Sequence, residues 1–238
     1  MAILNIKNLS VSYGPVAAVK GIDLSIEKGK IIALLGANGA GKSSTVNAIA
    51  GLIDHKADKM TFKDTDILSL KTEMRIKKGL TLIPEGRRIF PSLTILENLT
   101  LGGYLLKGNK TGLKQQRQKM YDLFPILSER KAQLATTLSG GQQQQLAIAR
   151  ALMSRPEIMM FDEPSLGLAP KIVETIFDLL VRLKEDGNTL LVVEQNVAMV
   201  LDIADYVYVM ANGEIRAEGT VAELDETQAI KNAYMGGE

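Results

Sequence analysis

Three short stretches carry residue types that could do chemistry on a phosphate. Gly36-Ala37-Asn38-Gly39-Ala40-Gly41-Lys42-Ser43 fits the pattern G-x-x-x-x-G-K-S/T. Its glycines let the backbone curl so that successive N–H groups point inward at an anion. Lys42 would neutralise phosphate oxygens, and the Ser43 hydroxyl is a ligand type for Mg²⁺. The second stretch is the acidic pair Asp162-Glu163. Asp162 would hold Mg²⁺ through a water, and Glu163 would polarise an attacking water as general base. The third is Leu138-Ser139-Gly140-Gly141-Gln142. There Ser139 is a good helix N-cap, and the two glycines let the backbone approach an anion closely. Taken singly, the acids read as a solvated strand end and the third stretch as an ordinary capped helix. The cradle by itself indicates nucleotide binding and no particular family.

These residues need elements to hold them. Ile31–Leu35 is continuously apolar, as expected of a strand buried on both faces of a sheet, and it runs straight into the cradle. Ser44 opens a helical run with Val46, Ile49 and Ala50 on one side, so a helix N-terminus adds its partial positive charge there. Ile158–Phe161 is a second buried run, and it puts Asp162 and Glu163 at the carboxyl end of a strand, where open α/β sheets bind ligands. Leu190–Val193 is a third. Helical patterns over Gln142–Met153 and Ile172–Lys184 alternate with these strands, which implies a parallel α/β sheet. The amino-terminal segment differs: Leu4, Ile6, Leu9, Val11 and Tyr13 alternate with mostly polar residues, the period of half-exposed antiparallel strands. Asp23–Ile26 alternates likewise, and Tyr206–Met210 leads into the hairpin signal Asn212-Gly213. From about Arg87 to Thr137 the chain is rich in Leu, Lys and Gln with no continuous β run after Pro91, which predicts a helical insertion. Lys107–Lys114 reads as its most loop-like part, and Met235–Glu238 is expected to fray.

Bulk composition bounds the partners. The 238 residues are 46% hydrophobic and 23% charged, with a formal charge of +1, so no strong field draws the chain to nucleic acid. No cysteine is present, which removes disulfides, thiolate nucleophiles and sulfur-based zinc sites. The longest apolar run falls far short of the ~20 residues of a spanning helix, and the start lacks a signal-peptide pattern. A cytoplasmic protein is expected.

Leu138–Gln142 resembles the signature of ATP-binding-cassette (ABC) ATPases, and it stands in that family's order of cradle, signature and acidic strand. The resemblance covers nearly the whole chain. It implies an α/β P-loop ABC ATPase fold with a mainly parallel sheet, an antiparallel β subdomain and an inserted helical subdomain. The α/β core would comprise 1–86 and 155–238, and the helical part, which carries the signature, 87–154. It implies ATP and Mg²⁺ as cofactors. It also implies that Ser139, Gly140, Gly141 and Gln142 face the γ-phosphate of an ATP held by a second subunit, so that two chains sandwich two ATPs. A helix N-terminus with a serine hydroxyl and free backbone donors suits such a half-site. Tyr13 matches the aromatic that stacks on adenine, the other reading being a packing tyrosine at a strand end.

Pro84–Phe90, Leu93–Leu99, Asp162–Pro170 and Val193–Asn196 resemble one branch, the second ATPase subunit of high-affinity branched-chain amino-acid transporters. That branch implies uptake powered by ATP hydrolysis and a location on the inner face of the membrane through integral permease subunits. A sister ATPase or a second copy of the chain completes the assembly, and a substrate-binding protein acts indirectly. The alternatives are an ABC ATPase for lipid, polysaccharide or another small solute, and a soluble non-transport ABC ATPase. The stretch between Lys42 and Ser139 is too short for the coiled coil of repair members, and translation members carry two cassettes. Three positions depart from the general family pattern: Glu85 replaces a glutamine that contacts the metal, Gln195 replaces the switch histidine, and Leu168 replaces an aspartate. Gln195 still donates a hydrogen bond but carries no proton at neutral pH. The lone histidine, His55, reads as a surface residue. Met60–Asp66 lacks the glycines of the family's hairpin, which predicts a longer or looser turn.

Overall fold

The computed structural model describes residues 1–226. The chain runs β1 (Ala2–Tyr13), β2 (Val16–Glu27), β3 (Ile31–Leu35), α1 (Lys42–Ala50), β4 (Lys59–Phe62), β5 (Thr65–Asp66), α2 (Thr72–Lys77) and β6 (Leu80–Ile83). Four α-helices follow before the next strand: α3 (Ile95–Gly102), α4 (Lys110–Leu123), α5 (Pro125–Glu129) and α6 (Gly140–Leu152). The remainder is β7 (Ile158–Asp162), α7 (Pro170–Glu185), β8 (Thr189–Glu194), α8 (Val197–Leu201), β9 (Tyr206–Ala211), β10 (Glu214–Gly219) and α9 (Val221–Glu226). The expectation for Met235–Glu238 lies outside the described residues.

Two sheets form. The larger has the order β10-β9-β3-β8-β7-β6 and is parallel except for the terminal β9–β10 hairpin. The smaller, β2-β1-β4-β5, is antiparallel throughout. Every residue of β3, β7 and β8 is buried, because helices or the second sheet cover both faces. Alternation along each strand divides the core. Ile32, Leu34, Met160, Leu191 and Val193 pack with α1 and the antiparallel sheet. Ile31, Met159, Phe161, Leu190 and Val192 pack with α3 to α7. The apolar core beneath the four inserted helices is therefore continuous with one face of the parallel sheet. The sheet order puts β8 between the cradle strand β3 and the acidic strand β7: Leu35 pairs with Glu194, and Asp162 pairs with Val193.

Several local expectations change. The turn at Met60–Asp66 is tight: Lys63 and Asp64 alone join β4 to β5, at φ 49° and 59°. Glycine is dispensable there because neighbours hold the left-handed backbone. The Lys63 amide donates to the Ile3 carbonyl at 2.8 Å, and its ammonium pairs with Glu157. Within Lys107–Lys114 only the first residues are loop; Asn109 caps α4 by accepting from the Gly112 amide, so helix begins at Lys110. β6 is a further strand of only four residues, interrupted by the polar Thr81, and the sequence pattern does not single it out. His55 is half-buried rather than a surface residue. Its Nε2 lies 3.3 Å from a guanidinium nitrogen of Arg75, which can only donate, so Nε2 accepts and Nδ1 donates to the Ile53 carbonyl at 2.8 Å. Arg75, 1% exposed, also donates to the Ala48 and Ile49 carbonyls, each at 2.8 Å, and to those of Leu68 and Leu70, each at 2.9 Å. It thereby closes the carboxyl end of α1, the helix that the cradle opens.

Candidate functional site

The cradle follows β3 without a break and turns into α1 at Lys42. Two of its glycines are required by their surroundings. A Cβ on Gly36 would strike the Met210 carbonyl oxygen, and one on Gly41, at φ 105°, would strike that of Ala18. Strand neighbours thus press on the loop from both sides and hold its curl. Lys42 is 4% exposed, and its ammonium folds back onto the cradle. It donates to the Gly36 carbonyl at 2.9 Å and the Ala37 carbonyl at 3.1 Å, and lies 3.3 Å from Glu163 Oε1. Asn38, Gly39 and Ser44 line the mouth, and Ala40 is buried beneath it.

The acidic pair meets this loop. Ser43 Oγ donates to Asp162 Oδ1 at 2.9 Å. These two oxygens form the hard donor set that suits Mg²⁺, and Glu85, just beyond β6, adds a nearby carboxylate. Asp162 is 4% exposed, and burial pushes its carboxyl up to about 6. The neighbouring charges of Glu163 and Glu85 raise it further, while the Ser43 hydrogen bond and Lys42 oppose the rise. Because the folded value lies above the ordinary 3.8, the ionised carboxylate opposes folding at neutral pH, and that cost fades as pH falls through 6 towards 4. Asp162→Asn keeps an acceptor for Ser43 without the charge. It is expected to stabilise the nucleotide-free protein at pH 7.5 by roughly 1–3 kcal/mol. Melting curves from pH 4 to 8 check this, and the gain should vanish at the acid end.

Glu163 has a left-handed backbone, φ 49°, unusual for a residue with a side chain. Together Lys42, Ser43, Glu85 and Glu163 line a cavity of about 440 Å³. Ala18 and Leu166 line it too, and nothing in their residue types announced this. Leu168, by contrast, is half-buried and packs on the core.

Not every expected residue reaches that cavity. Tyr13, 52% exposed, stands beside it, its hydroxyl 3.3 Å from Ser44 Oγ. Gln195 is exposed at the end of β8. Ser139, Gly140, Gly141 and Gln142 lie outside the cavity lining, at the start of α6. There Ser139 and Gln142 form a reciprocal capping box, with Ser139 itself exposed. The guanidinium of Arg87 covers Gly140 and reaches Gln143 Oε1 at 3.3 Å. Sequence reasoning missed Glu194, 2% exposed, which accepts from three backbone amides beside the acidic pair. Its one signal was a charge ending an otherwise apolar buried strand.

Comparison with known proteins places this arrangement. The family model for ABC transporters matches residues 19–166. The high-affinity branched-chain amino acid transport ATP-binding protein BraG of Pseudomonas aeruginosa is 40% identical over 99% of this chain and 100% of its own. The probable branched-chain amino acid transport ATP-binding protein LivF of Archaeoglobus fulgidus is 34% identical over 98% and 99%. The lipopolysaccharide export ATP-binding protein LptB of Haemophilus influenzae is 32% identical over 99% and 98%. Among solved structures, the ADP conformation of MJ1267, an ATP-binding cassette of an ABC transporter, superposes with a TM-score of 0.85. It is 31% identical and covers 99% of each chain. Cradle, acidic strand, signature helix and these likenesses agree: the chain belongs to the ABC transporter family, as an ATP-binding subunit whose ATP hydrolysis powers membrane transport.

Proposed function

We propose that this chain powers the uptake of branched-chain amino acids, as one half of an ATP sandwich bound beneath a pair of permease chains. One observation carries the sandwich: Lys42, Ser43, Glu85 and Glu163 line the cradle cavity while Ser139–Gln142 stand outside it with Ser139 exposed. The site is then completed by the signature of a second chain, a sister ATPase or another copy. In that complex the cradle amides and Lys42 bind the phosphates, and Tyr13 stacks on adenine. Glu163 takes the proton of the attacking water, and Gln195 donates a hydrogen bond to the γ-phosphate. Ser43 and Asp162 would hold Mg²⁺, with Glu85 on one of its waters; when bound, the ion neutralises charge developing on the phosphates.

Residues 87–154 act as the helical subdomain in this reading. The permease docks in the cleft of about 520 Å³ that they form with the sheet, lined by Phe90, Leu101, Tyr104 and Arg150 among others. Arg150 sits over the Phe90 ring at 5.0 Å, and its Nη1 lacks a partner. Among the described residues no helix is long and apolar enough to cross a membrane, which supports a peripheral position under partner chains. The substrate class rests on the names of BraG and LivF. The test is reconstitution with a candidate permease pair, a sister ATPase and a binding protein in vesicles. Leucine, isoleucine and valine uptake should require ATP. Tyr104→Glu, at a 65% exposed rim position, should abolish co-purification with the permease yet spare ATP hydrolysis by the isolated chain. ATP-driven transport of some other solute, with none of these three, would remove the substrate assignment.

A further inference from the structure

The proposed general base stands on a backbone that its own residue type does not favour. Glu163 sits at φ 49°, and such a conformation persists only where the surroundings over-determine it. Both of its flanks are tied to β8. The Glu163 amide donates to the Val193 carbonyl at 2.9 Å. Pro164 has no amide to give. The next one, on Ser165, donates to Glu194 Oε1 at 2.9 Å. The other oxygen of the same carboxylate accepts from the Gln195 amide at 3.1 Å and the Asn196 amide at 3.4 Å.

Glu194 is 2% exposed and lies on the strand between β3 and β7, level with Leu35 and next to the partner of Asp162. No cation pairs with it among the described residues; its charge is met by main-chain donors alone. A buried carboxylate is costly unless its lone pairs are filled, and here the two loops that fill them carry Glu163 and Gln195.

We propose that Glu194 is a positioning residue for hydrolysis: its carboxylate fastens the loop after Glu163 to the loop bearing Gln195, so that both groups are presented to the γ-phosphate as one body. This rests on the reading of Glu163 as general base. Only a side chain with two acceptor oxygens and this reach can serve. In Glu194→Gln one oxygen becomes an amino group facing an N–H, so one loop must let go. Glu194→Asp keeps the charge but is a methylene too short to hold both.

Turnover and ATP affinity of the parent, Glu194→Gln, Glu194→Asp and Glu163→Gln test the proposal, with melting curves to establish folding. Both Glu194 variants are expected to lose about tenfold to a hundredfold in kcat, the scale of a small misplacement of a reacting group. Their ATP Kd should stay within about threefold of the parent, because the cradle is untouched. Parent-like kcat in Glu194→Gln, or a Kd that worsens in step with kcat, overturns the proposal. Parent-like kcat in Glu194→Asp alone overturns it too, by reassigning the effect to charge. Parent-like kcat in Glu163→Gln would instead overturn the general-base reading. Should the Glu194 variants not fold, amide exchange in the parent decides: Ser165 and Gln195 protected like the amides of β8 support the bridge, and exchange as fast as in exposed loops overturns it.

Discussion

Glu163→Gln is expected to bind ATP at least as tightly as the parent and to hydrolyse it about a thousandfold more slowly, within the range that general-base removal spans. The side chain is 10% exposed and its Oε1 lies 3.3 Å from the Lys42 ammonium, at the inner wall of the cradle cavity. A glutamine of the same shape fills that position but accepts no proton. It also removes a negative charge beside the γ-phosphate, which favours the ATP-bound state. The variant should therefore accumulate as an ATP-bound dimer. Phosphate release, ATP titration and solution mass with and without Mg-ATP measure the three effects. A dimer shows that two copies complete each other's sites. Binding without pairing assigns the second signature to a sister subunit. Hydrolysis at the parent rate would sink the general-base role.

Lys42→Ala should cost the larger part of ATP binding, a loss of roughly a hundredfold to a thousandfold in Kd. Each hydrogen bond to a charged group contributes about 1.5–3 kcal/mol, and about 1.4 kcal/mol is tenfold in affinity. Lys42 lines the cavity that would take the phosphates, where its ammonium donates to the Gly36 and Ala37 carbonyls and pairs with Glu163. Truncation also strips those groups of their buried cation. Glu163 loses its only ion-pair partner among the described residues, and the empty protein should be destabilised by about 1–3 kcal/mol. Calorimetric titration reads the first effect and thermal unfolding the second. Tight ATP binding by a well-folded Lys42→Ala protein would refute the role of this lysine.

The sequence by itself determined the parts of this protein whose physics is local. An unbroken apolar run such as Ile31–Leu35 or Ile158–Phe161 can only be buried, and the glycine pattern at Gly36–Gly41 serves a curled loop before a helix. Asn212-Gly213 specified its hairpin in the same way, both residues taking positive φ, 53° and 84°. From the cradle, the signature and the acidic pair the ABC fold and its ATPase activity were legible. Tertiary structure decided what depends on residues distant in sequence. The Lys63-Asp64 turn holds without glycine because β1 and Glu157 brace it. His55 is half-buried because Arg75, twenty positions later, needs an acceptor. Ala18 and Leu166 border the cavity only through the packing of a neighbouring strand and loop. Glu194 acquires its place from the sheet order, which puts β8 between the cradle strand and the acidic strand. Strand order is a non-local property, set by which faces bury together, and that is why the carboxylate bracing Glu163 could not be read from its own neighbours in the chain.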